Sequence, residues 1–148
     1  MLSVVYGPHI SIEKENFLKN ITTLNQKHDE KLWIIVGDFN LITMLEEKRR
    51  GIRMEEAEME QFRDIQEELQ LVEIQTINGR YTWNNRRGGY RKIVSHLDRV
   101  LAIENLIIKD VYYKASILPY LSSDHWLIRL EVDLKQGKIK RPFRFDAF

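Results

Sequence analysis

Residues 31–40 read Lys31-Leu32-Trp33-Ile34-Ile35-Val36-Gly37-Asp38-Phe39-Asn40, and the fold turns on them. The run 32–36 is apolar without a break and rich in β-branched and aromatic side chains, the pattern of a strand buried on both faces in a parallel or mixed sheet. Gly37 closes it where the backbone must turn. Asp38 and Asn40 therefore leave the sheet together at the strand's carboxyl end, where open α/β sheets bind ligands. Taken alone, this Gly-Asp-Asn cluster is ordinary turn chemistry. Its meaning depends on what the rest of the chain brings to the same rim.

Working outward, residues 2–6 form a short apolar strand halted by Gly7-Pro8. Ser11 can cap a helix with Glu13 and Glu15 in its first turn and Phe17, Leu18, Ile21 and Leu24 on one face. Strand, amphipathic helix and the Trp33 strand make a β-α-β unit, for which a parallel crossover is the default. A charged loop, Glu46-Glu47-Lys48-Arg49-Arg50-Gly51, precedes a second helix over 55–70, with Met59, Phe62, Ile65 and Leu69 as its apolar stripe and a mostly acidic solvated face. Residues 71–76 alternate like a strand, Asn78-Gly79 signals a hairpin turn, and Tyr81-Thr82-Trp83 resumes a strand, so the sequence predicts a hairpin here. Strand character returns over 93–101, a short helix is expected over 103–108, and strands over 111–117 and 126–132 flank the loop Leu121-Ser122-Ser123-Asp124-His125. Mixed sheets with helices outside describe the whole.

The chain has 148 residues, 43% of them apolar, enough for one core and too few for two full domains. A domain over 1–134 is followed by a basic, aromatic tail over 135–148, read as a linker or frayed terminus. The net charge of +1 gives no global field toward nucleic acid or membrane, but the charge is unevenly spread. Residues 55–73 hold eight acids against Arg63, whereas residues 80–92 hold five bases and no acid. With no cysteine, disulfides and thiolate-bound zinc are excluded, and any metal must be held by oxygen or imidazole. The start lacks a signal-peptide pattern and no apolar run is long enough for a span, which fits a soluble intracellular protein.

Three stretches carry polar residues beside apolar strands: Asp38 with Asn40, Asp98-Arg99, and Ser123-Asp124-His125. Separately each has a plain explanation, such as a surface Asp98–Arg99 ion pair, an Asp124 turn cap, or a satisfied histidine. Together on one rim they supply what phosphoester hydrolysis needs: oxygen ligands for Mg²⁺, a group to orient water, and an imidazole oriented by a carboxylate.

The ordered set Val5-Tyr6-Gly7-Pro8, Trp33 through Gly37-Asp38-Phe39-Asn40, Tyr81-Thr82-Trp83, Leu97-Asp98-Arg99-Val100-Leu101 and Ser122-Ser123-Asp124-His125 resembles the carboxyl-terminal half of the endonuclease/exonuclease/phosphatase superfamily. Glu46-Glu47-Lys48-Arg49 and the terminal Arg141-Pro142-Phe143-Arg144-Phe145-Asp146 are similar to the apurinic-endonuclease-like domain of plant LINE-type retrotransposons, where such a tail leads toward a reverse transcriptase. The resemblance implies an α/β (α+β) fold, a partial two-sheet sandwich with outer helices. It also implies that Asp38 orients or deprotonates the attacking water, Asn40 holds a phosphate oxygen or that water, and Asp98 fixes the tautomer of His125. His125 would contact the scissile phosphate as base or as cation, Tyr6 would offer its hydroxyl to the phosphate, and Asp124 would be a metal or water ligand. Arg86, Arg87, Arg91 and Lys92 with Trp83 would grip a DNA backbone, a solubilising loop being the equal alternative.

The same resemblance implies an amino-terminal half that supplies an asparagine and the principal Mg²⁺-binding glutamate, and the chain begins after the positions of both. The expectation is a DNA endonuclease domain that is weak or inactive as this truncated chain, with Mg²⁺ (or Mn²⁺ in its place) weakly held. Its partners would be DNA, the absent half, or a reverse transcriptase in a longer parent, and activity on DNA would place it in the nucleus. The alternatives are a silent retroelement remnant that binds nucleic acid, and a phosphatase of the same superfamily.

Overall fold

The computed structural model describes residues 1–28, 32–105, 111–120, 122–134 and 143–146. The Trp33 run becomes β2 with shifted bounds (Ile34–Asp38), second in a four-stranded mixed sheet. Gly37, expected to close the strand, lies inside it because the strands on either side pair with both Gly37 and Asp38, so the turn comes only after Asp38, at the end of β2. On one side lies β1 (Leu2–Tyr6), parallel to it, with α1 (Ser11–His28) as the crossover; on the other lies β7 (Asp98–Ile103), antiparallel, followed by the short β4 (Leu71–Glu73).

Ile35 and Val36 are buried on opposite faces because two layers close on them, while Leu32 at the start of the run is 39% exposed. On the face of Ile35 and Leu101, Leu18 and Ile21 of α1 and Phe62 of α2 (Glu56–Glu68) form one core with Trp33, Phe39 and Leu71. The opposite face, with Val36 and Val100, meets Ala115 of β8 (Val111–Leu118) and Ile128 and Leu130 of β9 (Leu127–Leu134). These two long strands pair antiparallel as a second sheet, so the fold is α+β with two packed sheets and helices outside, as the sequence indicates. Ser11 starts α1, but its hydroxyl donates to Glu58 of α2 and so ties the two helices together. Leu24 lies at the edge of its predicted face, 38% exposed.

Two glycines are obligatory. A Cβ on Gly37, at φ +148°, would lie 2.0 Å from the Val5 carbonyl oxygen, and one on Gly7 would lie 2.2 Å from that of Phe39. The β1–β2 approach and the turn after β2 both need the missing side chain.

The predicted hairpin across Asn78-Gly79 does not form. β4 pairs with β7 in the first sheet, whereas β5 (Trp83–Asn84) pairs with β6 (Val94–Ser95) in a third, small sheet completed by β3 (Lys48–Arg49). Neither Asn78 nor Gly79 has the positive φ that a tight primed turn requires. Instead the Asn78 side chain donates to the Ile117 carbonyl and accepts from its N–H, both at 2.7 Å, fastening the turn to β8. Within the predicted tail, β10 (Phe143–Asp146) adds antiparallel to β9. Of the helix expected over 103–108, positions 106–108 lie outside the described residues, as do Leu121 and positions 135–142 and 147–148 of the tail; Ile103 itself ends β7, and 104–105 are helical.

Candidate active site at the sheet rim

Register places the site. Tyr6, Asp38 and Asp98 stand side by side across β1, β2 and β7, at the carboxyl ends of the first two and the start of the third. All three share the face that looks toward the second sheet. His125 arrives from the turn before β9, held by a bridge to Trp83 and by its own N–H donating to Ser123 Oγ at 3.1 Å.

The imidazole lies between two carboxylates. Its Nδ1 is 3.0 Å from Asp98 Oδ2 and 3.2 Å from Oδ1, and its Nε2 is 3.7 Å from Asp38 Oδ2. The hydrogen bond to Asp98 raises the His125 pKa above its ordinary value; burial opposes this, and the charges of Asp98, Asp38 and Asp124 reinforce it. Asp38, 7% exposed, is pushed up to about 6, chiefly by burial and also by the charge of Asp98, against the hydrogen bond from the Asn40 backbone.

Asn40 adopts a left-handed backbone, φ 50°, which asparagine tolerates better than most residues. Its N–H donates to Asp38 Oδ1 at 2.8 Å, and its Nδ2 donates to Asp38 Oδ2 at 3.0 Å and to the Gly7 carbonyl at 2.7 Å. Both Asp38 oxygens are thus engaged, and the side-chain oxygen of Asn40 is the atom left to meet water. Asp124 accepts from Trp83 Nε1 at 2.9 Å, which, ahead of a small opposing burial, holds its carboxyl below the usual range. Tyr6 is 70% exposed, with its hydroxyl 3.2 Å from His9 Nε2.

Ligand atoms of Asp38, Asp98 and His125 lie within 4.8 Å of one another. As a Mg²⁺ cage they fit poorly: Mg²⁺ wants about six oxygens in octahedral array. Each Asp38 oxygen already accepts one hydrogen bond from Asn40, and Asp98 faces Nδ1 of the histidine, so few oxygen lone pairs remain for an ion. Asp124 stands outside this group, with one oxygen on Trp83. Arg86, Arg87, Arg91 and Lys92 are all exposed along the 84–92 loop, so the predicted basic surface is available to solvent, beside a partly buried Trp83. An open cleft of about 390 Å³ runs from Asp38, Asp98 and His125 between the two sheets, past Val4 and Trp126.

Several supporting residues are not apparent from the sequence. Thr82, fully buried, accepts the backbone N–H groups of Leu97 at 3.0 Å and Asp98 at 2.9 Å, so it sets the start of β7. Arg99 makes no surface pair with Asp98. It is fully buried and bridges Glu47 to Glu73, at 2.6 Å to the latter, while also donating to the Leu41 carbonyl. Glu73 in turn holds His96 at 2.5 Å. Burial would raise Glu47, but hydrogen bonds and charge from Arg99, with Thr43, hold it below its ordinary value. The Glu47-Glu73-His96 group could be taken for a metal site, yet the guanidinium already supplies its cation.

No curated protein matches the chain. A model of the endonuclease-reverse transcriptase family matches residues 1–129, which span both strands that carry the carboxylates and the histidine before β9. The chain therefore belongs to the endonuclease-reverse transcriptase family and is an endonuclease/exonuclease/phosphatase-type retroelement domain.

Proposed function

We propose that the rim of Asp38, Asp98 and His125 cleaves phosphodiester bonds in DNA. The observation that carries this is the imidazole held at Nδ1 by Asp98 with Nε2 turned to Asp38. A histidine with raised proton affinity keeps its charge to higher pH than an ordinary imidazole, and in that charged form can stabilise negative charge on a phosphate oxygen. Asp38, titrating at about 6, is a stronger base than an ordinary carboxylate and can take a proton from an attacking water near neutral pH. Asn40 presents an oxygen and so orients that water in preference to a phosphate oxygen, while Tyr6 and the 84–92 loop face the DNA. Asp98 is a positioning residue that fixes the His125 tautomer.

Metal is the weak part of this site. Magnesium, when bound, would polarise the phosphate; beside the rim the Asp124 oxygen not bonded to Trp83 and the remaining lone pairs of Asp38 would hold it, a sparse set that would bind Mg²⁺ or Mn²⁺ weakly. Membership of an endonuclease-reverse transcriptase family supports a nucleic acid substrate and a longer parent protein; activity on DNA would set the protein in the nucleus. The basic loop supports a second reading, a silent domain that only binds nucleic acid.

Nicking of supercoiled plasmid by the purified chain, over rising Mg²⁺ or Mn²⁺ and beside EDTA and His125→Ala, tests both. Slow nicking that grows with metal and disappears in His125→Ala supports the catalytic reading. Nicking indifferent to His125→Ala refutes it, and DNA binding by a folded chain that never nicks favours the silent domain.

A further inference from the structure

A second cleft, of about 430 Å³, opens on the Asn40 side of His125. It lies toward the helices and the small third sheet, away from the apolar cleft between the two main sheets. His9, Lys14, Lys48 and Ser95 line it, with Asn40, Asp124 and His125 at the end shared with the rim.

Its charges are divided: the carboxylate of Asp124, bonded to Trp83, is at the rim end, and Lys14 and Lys48 feel one another at the other. Lys14 is paired with Glu58 at 2.9 Å, and both side chains are nearly buried. Lys48 is partly buried on β3, and its ammonium group has no ion-pair or hydrogen-bond partner among the described residues. Burial lowers its pKa, and the charge of Lys14 lowers it further, so the two ammonium groups feel one another. Ser95, the ladder partner of Lys48 and 2% exposed, has a hydroxyl without a partner. A partly desolvated cation facing a second cation is costly, and an anion in the cleft would relieve both costs.

We propose that Lys48, with Lys14 and His9, binds a backbone phosphate of the DNA strand adjacent to the phosphate at His125. This rests on the reading of the rim as a phosphodiester site and extends it: the strand would run from the basic 84–92 loop across the rim into the Lys48 cleft. Lys48 then fixes the register of the scissile bond against Asp38 and His125. A single neutralised phosphate also makes a defined contribution to the salt dependence of binding.

The test is binding of a fluorescently labelled double-stranded oligonucleotide by the full chain in EDTA, followed by anisotropy over a range of salt, for wild type, Lys48→Met and Lys48→Arg. The methionine keeps most of the apolar stem and removes the charge. The expected result is weaker binding by Lys48→Met, with the slope of log K against log salt reduced by about 1, and recovery of that slope in Lys48→Arg. Thermal melting of Lys48→Met should be unchanged or raised, since an unpaired and partly buried charge has been removed. A wild type that does not bind, or a Lys48→Met with the wild-type slope, overturns the proposal. The two readings fail separately. A Lys48-dependent slope without any His125-dependent nicking keeps the phosphate subsite and removes the catalytic role, while His125-dependent nicking with a Lys48-independent slope does the reverse.

Discussion

Replacing Asp38 by Asn should stabilise the protein at neutral pH, and the gain should vanish in acid. Asp38 titrates at about 6 in the folded chain against 3.8 for an ordinary aspartate, mainly because it is buried. The folded state therefore binds the proton more tightly than the unfolded one, and stability is lost as pH rises from 3.8 through about 6. At about 1.4 kcal/mol per tenfold change in proton affinity, the full loss is about 3 kcal/mol once pH exceeds the folded value. Between about pH 4.5 and pH 7.5 the loss still to come is about 2 kcal/mol. Asparagine removes this term, but it accepts only one of the two hydrogen bonds from Asn40, a cost of about 1 kcal/mol that does not depend on pH. Urea unfolding of wild type and Asp38→Asn across this range should show their difference moving by about 2 kcal/mol in favour of the variant as pH rises. A difference that stays flat, or moves the other way, would refute the argument that burial governs Asp38 and would remove the case for it as a base near neutral pH.

Asp98→Asn should lower the His125 pKa, read by imidazole NMR, because the acceptor at Nδ1 loses its charge. The stability that this contact contributes is fully present below about 6.5 and disappears as pH rises through the raised folded value, so the variant should be destabilised at mildly acidic pH and nearly neutral at pH 9. Arg99→Leu strands Glu47 and Glu73 in the interior and should cost about 3–5 kcal/mol in chemical denaturation, much of a small domain's stability. Gly37→Ala sets a methyl group against the Val5 carbonyl in a strained backbone, and amide exchange should report loss of the β1–β2 ladder if the variant folds at all.

What sequence could reveal here follows from where the information lies along the chain. The two-sided burial of β2 is legible because an unbroken apolar run announces it, but its end is not: Gly37 reads as a stop, and yet the ladder runs on through it to Asp38 because β1 and β7 pair with both residues. Asp38, Asp98 and His125 are legible because each adjoins a strand end, and strand ends collect at a rim. The buried Arg99 cluster is not. Glu47 lies 52 residues from Arg99, inside a run of charges with every mark of a surface loop, and only the closed core shows that its carboxylate faces inward. The Asn-Gly pair misleads for a related reason: a turn signal fixes local preference, while the partner of Asn78 is 39 residues away on β8.

Asp98 and Arg99 show how the candidate site at the rim and the core depend on one another. As neighbours on β7 they point to opposite faces: Asp98 lies beside Asp38 on the face of His125, and Arg99 lies opposite Gly37 on the face of the helices, 5.5 Å from the ring centre of Phe62. A slip of one residue along β7 would carry the guanidinium to the rim and the carboxylate into the core beside Glu47 and Glu73, stranding three acids without a cation. The two acids that clamp Arg99 thereby fix the register of β7. Fixing that register sets Asp98 within reach of His125. The charge network that looks purely structural is what holds the carboxylate and the imidazole in contact.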